Sequence, residues 1–380
     1  MDFEVSEELK MIVDTVAEFR RREMQPLEAN FLKAGELPIP EREALEAKAR
    51  DKGLWALEVP EEDGGAGLGL LPCALINAEL AKCAIPFAFG GTPEPLLNFA
   101  TPEQREKYYF PVIRGERRSC YAFTEPDAGS DVQGIKTRAV RDGDDWVLNG
   151  TKIYITDAHR ADHAFVFAVT EPGKGAKGGI SCFIVDYDAP GFKLGKRIRT
   201  MGDDRDPYEL ILDDCRVPAE NLLGPLGYAF TLGDDQLTHG RVVLASVCLG
   251  LAARSIEIAT DWARQRKTFG RLIGEYGAIQ NFLADSSVEL QAAEGLVLKA
   301  AWMHDNGKKI RTEAHAAKLY ATEMAQRVTD RCIQVLGGIG YTLDSPVQSM
   351  WRHARVKRIG HGTTEINRWM IARAMLREQN

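Results

Sequence analysis

The chain lacks any long apolar run. No stretch approaches the ~18 uninterrupted apolar residues of a bilayer-crossing helix, so no membrane span is expected. It lacks positive excess: the formal net charge is −7 and no long basic run occurs. That argues against nucleic acid, whose phosphate backbone selects basic surfaces. A small anionic ligand remains compatible, because a local basic site can sit on an acidic protein. Cysteine is sparse: the seven, at 73, 83, 120, 182, 215, 248 and 332, form no C-x-x-C pair and no evident disulfide framework. The N-terminus, Met1 to Glu8, has neither the apolar core of a secretory signal nor the arginines of a transit peptide. An odd cysteine count without an export signal fits a cytoplasmic protein with free structural thiols and no metal site. No internal repeat or low-complexity segment is present.

A length of 380 residues points to two or three domains, and 44% hydrophobic with 27% charged residues is ordinary for a globular chain. Three zones differ in texture. Residues 1–118 read mainly as helices: Leu9, Ile12, Val13, Val16 and Phe19 recur at the spacing of one helix face. Gly64 to Gly69 reads as a loop. With no strand before it and no βαβ unit around it, it is not a dinucleotide fingerprint. Residues 119–222 carry short apolar runs, such as Ala164–Val169 and Cys182–Val185, between turns such as Asp142–Asp145 and Ala189–Gly191. That pattern predicts a small β-barrel or sandwich. In 223–380 helical periodicity returns, with long apolar helices expected over 241–266 and 312–335. These suit a four-helix bundle, and such helices also supply subunit contacts. The predicted fold is therefore α+β and multidomain: helical, then β, then helical.

Five motifs follow in order. Tyr121-Ala122-Phe123-Thr124-Glu125-Pro126-Asp127-Ala128-Gly129-Ser130-Asp131 comes first, then Trp146 to Asp157, read as a strand pair. Arg266-Lys267-Thr268-Phe269-Gly270, Gln334 to Tyr341 and Gly362-Thr363-Thr364-Glu365-Ile366 complete the series. With Pro60 to Gly65 in looser agreement, the chain resembles the acyl-CoA dehydrogenase family of flavoproteins from residue 121 to its end. The resemblance implies FAD, an acyl-CoA substrate, a homodimer or homotetramer, and an electron-transferring flavoprotein as electron acceptor. It also implies a place in fatty-acid or amino-acid catabolism.

The residues suit those roles. A flavin needs a slot with apolar faces and polar edges. Tyr121, Phe123 and Thr124, taken as strand residues, with Tyr154 and Thr156, would lie against the isoalloxazine; Phe123 alone would equally suit a plain core. Arg266 offers a planar fork to a diphosphate, and the family's matching arginine reaches the FAD of a neighbouring subunit; Thr268 and Phe269 accompany it. Gln334, Gly337 and Gly338 would meet the adenine end, with Gly337 or Gly338 also capping a helix. Thr363 or Thr364 would cap the last helix, with Glu365 in its first turn, and FAD contacts are implied there. Ser130, Thr238 and Arg241 match positions near the acyl-CoA, and Ser130 belongs to the FAD set as well.

The resemblance breaks at the base. Family chemistry removes an α-proton from the thioester while a β-hydride passes to flavin N5. The family base is a carboxylate just before Gly-Thr or just before the arginine matched by Arg241. Here those residues are His361 and Gly240. A neutral imidazole, with a reference pKa near ~6.5, can accept a proton, so His361 is the candidate base, and the rate should rise with pH through that pKa. Thr238 replaces a common aspartate, Gly277 a glutamine, Asp157 an asparagine, and Gly202 to Pro207 is unusually charged. Two alternatives stay open: oxidase, monooxygenase or desulfinase chemistry on the same scaffold, or an impaired subunit of a hetero-oligomer.

Overall fold

The computed structural model describes residues 6–202 and 205–377, and the side chains of all of these except 231–236. Asp203 and Asp204 of the charged stretch lie outside the described residues.

The helical start forms as its periodicity predicts. α1 (Glu7–Phe19) begins at Ser6, whose hydroxyl accepts the Leu9 amide at 3.3 Å, and Leu9, Val16 and Phe19 are buried. It runs through a π turn into α2 (Gln25–Ala34), which stops at Gly35 with φ 75°. α3 (Ile39–Asp51) and α4 (Leu70–Leu80) follow, with Gly64–Gly69 in the loop between them. The first amides of α4 need partners, and the Asp305 carboxylate of the C-terminal helices supplies them, at 2.7 Å from Leu70 and 2.8 Å from Leu71. A short run, α5 (Pro102–Gln104) and α6 (Phe110–Ile113), leads into the sheet.

The sheet contains β1 (Ser119–Ala122), β2 (Arg138–Asp142), β3 (Asp145–Ile155), β4 (His163–Val169), β5 (Ile180–Asp186), β6 (Phe192–Arg197), β7 (Tyr208–Pro218) and β8 (Leu222–Leu223). Their order is β6–β7–β3–β2–β4–β5–β8, with β1 parallel to β4. β4 and β5 are apolar without alternation because both faces are covered. Phe165, Phe167 and Ile184 face Leu97 and Tyr108 of the N-terminal zone, while Val166, Phe183 and Val185 face Trp146, Leu210 and Leu212. Two expectations change. The segment from Trp146 to Asp157 is one long strand, β3, paired with β2 and β7, rather than a strand pair. β1 ends at Ala122, so Phe123 and Thr124 lie just beyond it.

The chain returns to helix with α7 (Ala229–Ala263), then the hairpin β9 (Lys267–Thr268) and β10 (Arg271–Leu272), α8 (Gly277–Asp305), α9 (Arg311–Leu336), the single turn α10 (Gly338–Tyr341), α11 (Pro346–Lys357) and α12 (Thr364–Arg377). α7, α8 and α9 pack with α4 as a bundle. Ala245, Ala252 and Ala259 on α7 and Ala314, Ala317, Ala321 and Ala325 on α9 are fully buried, and such small side chains let long helices approach closely. The segment Leu237–Ala263 is long and apolar enough to cross a bilayer, but it is the central helix of this bundle. All seven cysteines are free and buried.

Candidate active site

The site is built around the turn that joins α11 to α12. His361 sits there with φ 54°, left-handed backbone that a non-glycine residue rarely adopts, between Gly360 and Gly362. Such strain persists only where the surroundings over-determine it. Arg241 Nε donates to the His361 carbonyl at 3.3 Å, and Lys318 Nζ donates to the Gly362 carbonyl at 2.7 Å. Asn367 Nδ2 donates to the carbonyls of Gly362 and Thr363, each at 2.8 Å, and its own amide oxygen meets His315 Nδ1 at 2.7 Å. Glu323 Oε1 accepts from Arg358 Nε at 2.8 Å and from the Thr364 hydroxyl at 2.7 Å. Of the two threonines, Thr363 caps α12, its hydroxyl accepting the Ile366 amide at 3.3 Å. The Glu365 carboxyl is held below its ordinary pKa by its own amide and by the Thr363 hydroxyl.

The imidazole of His361 lies over α7 where Gly240 has no side chain. A Cβ on Gly240 would stand 3.0 Å from Cε1 and 3.1 Å from Nδ1. The two positions at which the family can carry its base therefore meet across one gap, and histidine occupies it. The residue is solvent-exposed although protein surrounds its ring. Desolvation, followed by the charges of Lys357, Arg241 and Lys318, pulls the imidazole pKa down to about 4. The ring is thus neutral from pH 5 upward. The rise in rate expected through the reference imidazole pKa moves down to this lower value.

The wall supplied by the sheet is apolar. Tyr121 and Phe123 pack on Phe167 with ring centroids 4.9 and 5.1 Å apart, and Phe123 lies 6.2 Å from Phe230 of α7. Phe230 and Gly240 are ten residues apart on that helix, about 15 Å. Thr124 is fixed by its carbonyl, which accepts the Ile153 amide at 2.9 Å. Tyr154, with φ 59° and 58% exposure, lies near the end of β3, and the exposed Thr156 follows just beyond it. Asp157 is bonded to Arg205. Ser130 is exposed in the loop after β1, and Thr238 is buried on α7.

Sequence reasoning missed several residues here. Lys152 is wholly buried and bonds Glu125 at 2.7 Å and the Phe123 carbonyl at 3.1 Å, pinning the first motif to β3. Glu94 lies beside Tyr121, and burial raises its pKa to about 7. Lys318 and Glu323 brace the turn from α9. The available signal was a charge placed inside an otherwise apolar helical face.

Other predicted cofactor residues lie elsewhere. Arg241 and the end of α7 at Ala263 are 22 residues apart, about 33 Å of helix, and the β9–β10 hairpin lies beyond. Arg266 is exposed there, and Phe269 is 94% exposed with φ 48°. Gln334 stands 16 residues along α9 from Lys318, about 24 Å. Gly337, with φ 65°, ends that helix, and Gly338 follows; all three are exposed. A cavity of about 360 Å³ opens near this end, lined by Trp262, Gln265, Leu336 and Ile339 among others. The cofactor residues thus form two groups that one chain does not bring together.

An aromatic wall and an imidazole on a left-handed turn, carried by a helical–β–helical frame, are consistent with a flavin oxidoreductase, the class of its relatives. The acyl-CoA dehydrogenase N-terminal, middle and C-terminal domain models match residues 6–116, 120–215 and 230–376. The chain is 36% identical to a probable acyl-CoA dehydrogenase, YngJ, of Bacillus subtilis (strain 168), across 99% of this chain and 100% of that protein. It is 37% identical to the human mitochondrial short-chain specific acyl-CoA dehydrogenase, across 98% and 91%. Butyryl-CoA dehydrogenase from Megasphaera elsdenii superposes with a TM-score of 0.90 at 31% identity, across 99% and 100%. The chain belongs to the acyl-CoA dehydrogenase family, whose cofactor is FAD.

Proposed function

We propose that this protein dehydrogenates an acyl-CoA thioester between its α- and β-carbons, with His361 as the base. The observation that carries the reading is the neutral imidazole in a braced left-handed turn, set over the gap left by Gly240. FAD, when bound, supplies a hydride acceptor for the β-carbon. Tyr121, Phe123, Thr124, Tyr154 and Thr156 hold the ring end. Ser130, Thr363 and Glu365 hold the remainder, with Arg266, Thr268, Phe269, Gln334, Gly337 and Gly338 of a neighbouring protomer. Ser130, Thr238 and Arg241 orient the thioester. His361 takes the α-proton on a ring nitrogen. Burial, with the charges of Lys357, Arg241 and Lys318, keeps that ring unprotonated beforehand.

The reading includes a cytoplasmic homo-oligomer, three domains divided as 1–118, 119–222 and 223–380, and reoxidation by an electron-transferring flavoprotein. Phe269, Tyr341 and Leu376, at 94, 86 and 75% exposure, support an assembly that covers them. The test is anaerobic flavin bleaching by a panel of acyl-CoAs. His361→Ala should retain FAD and lose bleaching; bleaching at the wild-type rate would remove His361 as base.

A further inference from the structure

Three consecutive residues of α7 face three different partners. His239 Nε2 meets Glu58 Oε2 at 2.7 Å, Gly240 lies against the His361 imidazole, and Arg241 Nε donates to the His361 carbonyl at 3.3 Å. Successive helical residues point about 100° apart, so these contacts together define the rotation of α7 about its own axis. Gly240 has no side chain with which to key the helix against the imidazole. The rotation there is set by its two neighbours, and His239 is the one that reaches the N-terminal helical zone. Turning the helix by about 10° would carry its Cα atoms about 0.4 Å, and the end of the Arg241 side chain farther.

His239 is held on two sides. Glu58 comes from the turn between α3 and α4, where the Leu57 and Val59 carbonyls accept the Leu68 and Gly67 amides, each at 2.8 Å. The Leu57 and Val59 side chains are buried, and the Ala56 amide donates to the Gly90 carbonyl at 2.9 Å, so the carboxylate projects from a closed loop. On the other side, the His304 ring at the end of α8 meets His239 edge-on, with centroids 6.0 Å apart. His304 Nδ1 lies 3.2 Å from Asp305 Oδ1, and the Asp305 carboxylate accepts the first amides of α4. Asp305 stands so close to Gly69 that a Cβ there would lie 2.6 Å from Oδ2. α4, α7 and α8 thus converge on this histidine. The His239 and Glu58 side chains are 26 and 25% exposed, and a pair in contact with water adds little to folding stability. Its worth lies in the direction it imposes.

We propose that His239 is a positioning residue: its bond to Glu58 fixes the rotation of α7 and so holds Arg241 and the Gly240 gap in register with the His361 turn. This deepens the reading of His361 as base and rests on it. Arg241 is the relay, because it bonds the carbonyl of the residue whose ring takes the proton. A small displacement of that ring is costly, since proton transfer depends on alignment as well as on proximity. Losing Glu58 and losing His239 free the helix at the same point, so the two losses act as one.

The experiment uses the FAD-loaded protein as wild type, Glu58→Ala, His239→Ala, the double variant, and His239→Gln, whose amide can still donate to Glu58. The anaerobic rate of flavin reduction and the dissociation constant are measured with the acyl-CoA that bleaches the wild type fastest. Each alanine variant should reduce about tenfold more slowly, with its dissociation constant within about twofold of wild type. The double variant should be no slower than either single one, and His239→Gln should recover most of the rate. A merely structural pair would lower Tm and leave the rate of the folded protein unchanged. Wild-type rates in both alanine variants, losses that multiply in the double variant, or a change confined to the dissociation constant would each overturn the inference. A crystal structure of Glu58→Ala reads the geometry without turnover: the bond from Arg241 to the His361 carbonyl should be lost, and an unchanged bond overturns the inference. If His361→Ala reduces at the wild-type rate, the base reading fails alone, and the Glu58→Ala structure still decides whether the pair orients α7.

Discussion

Two lysines in different settings, Lys152 fully buried in the sheet and Lys357 half-buried beside the His361 turn, separate a self-contained ion pair from the candidate site. Lys152, in the sheet, and Lys357, at the end of α11, both have pKa values drawn down to about 8 by burial. Their surroundings differ. Lys152 is met by Glu125 and a carbonyl, and Glu125 also accepts the amides of Lys136 at 2.6 Å and Thr137 at 3.0 Å. The two buried charges there answer each other within the chain. Around Lys357 the neighbours are cations and a thiol. A perturbed pKa alone does not mark a site, because structural ion pairs perturb pKa values too. What marks the site is an imidazole whose charged neighbours, among the described residues, are all cations, next to a backbone turn under strain.

The contrast can be broken at its firmest point. Lys152→Met leaves Glu125 buried with no cation and should cost about 3–5 kcal/mol. Urea unfolding should show that loss, while Lys357→Met stays within about 0.5 kcal/mol of wild type. Equal losses from the two would erase the distinction. Gly240→Ala comes next. Its Cβ would press on the imidazole, so flavin reduction should slow by about tenfold through misplacement of the base, with substrate binding little changed. Wild-type kinetics would mean that the ring is not held against α7. Glu94→Gln sharpens the same region. It should leave reduction largely intact, and a loss as deep as that of His361→Ala would move the base to Glu94.

The smallest effect belongs to His163 in the sheet. It is wholly buried against Tyr108 and Phe165, neither ring nitrogen has a hydrogen-bond partner, and burial lowers its pKa to about 3. The folded pKa lies below the unfolded value near ~6.5. Its stabilising contribution is therefore complete above that value and fades as pH falls toward 3, by at most about 1.4 kcal/mol per pH unit. His163→Phe should flatten the fall in Tm between pH 6.5 and 4.5 without lowering Tm at pH 8. An unchanged slope would contradict the assignment.

Much of this was legible in the chain. The α1 face, the doubly buried runs of β4 and β5, and the long apolar helices were carried by periodicity, because burial on one or both faces writes itself into spacing. The strand ends were less clear. Phe123 and Thr124 read as strand because they are apolar or β-branched, but Glu125 bonds Lys152 and draws the chain out of the ladder. His361 stood out through the motif around it, whereas its neighbours did not. The proximity of Gly240, Lys318, Lys357 and Glu94 to the cleft depends on how α7, α9, α11 and the 81–94 loop pack, and residues so distant in sequence carry no shared period. The depressed imidazole pKa follows from that packing and had no sequence signal.

The central claim is that a neutral His361 removes the α-proton. The direct measurement is the anaerobic rate of flavin reduction in wild type and His361→Ala across pH 3.5 to 8, using the most rapidly bleaching acyl-CoA. The account predicts a wild-type rate that is flat above pH 5 and falls as pH drops through about 4, with reduction by His361→Ala slower by at least about 100-fold and no such inflection. A His361→Ala variant that reduces at the wild-type rate, or keeps the same inflection, would contradict it.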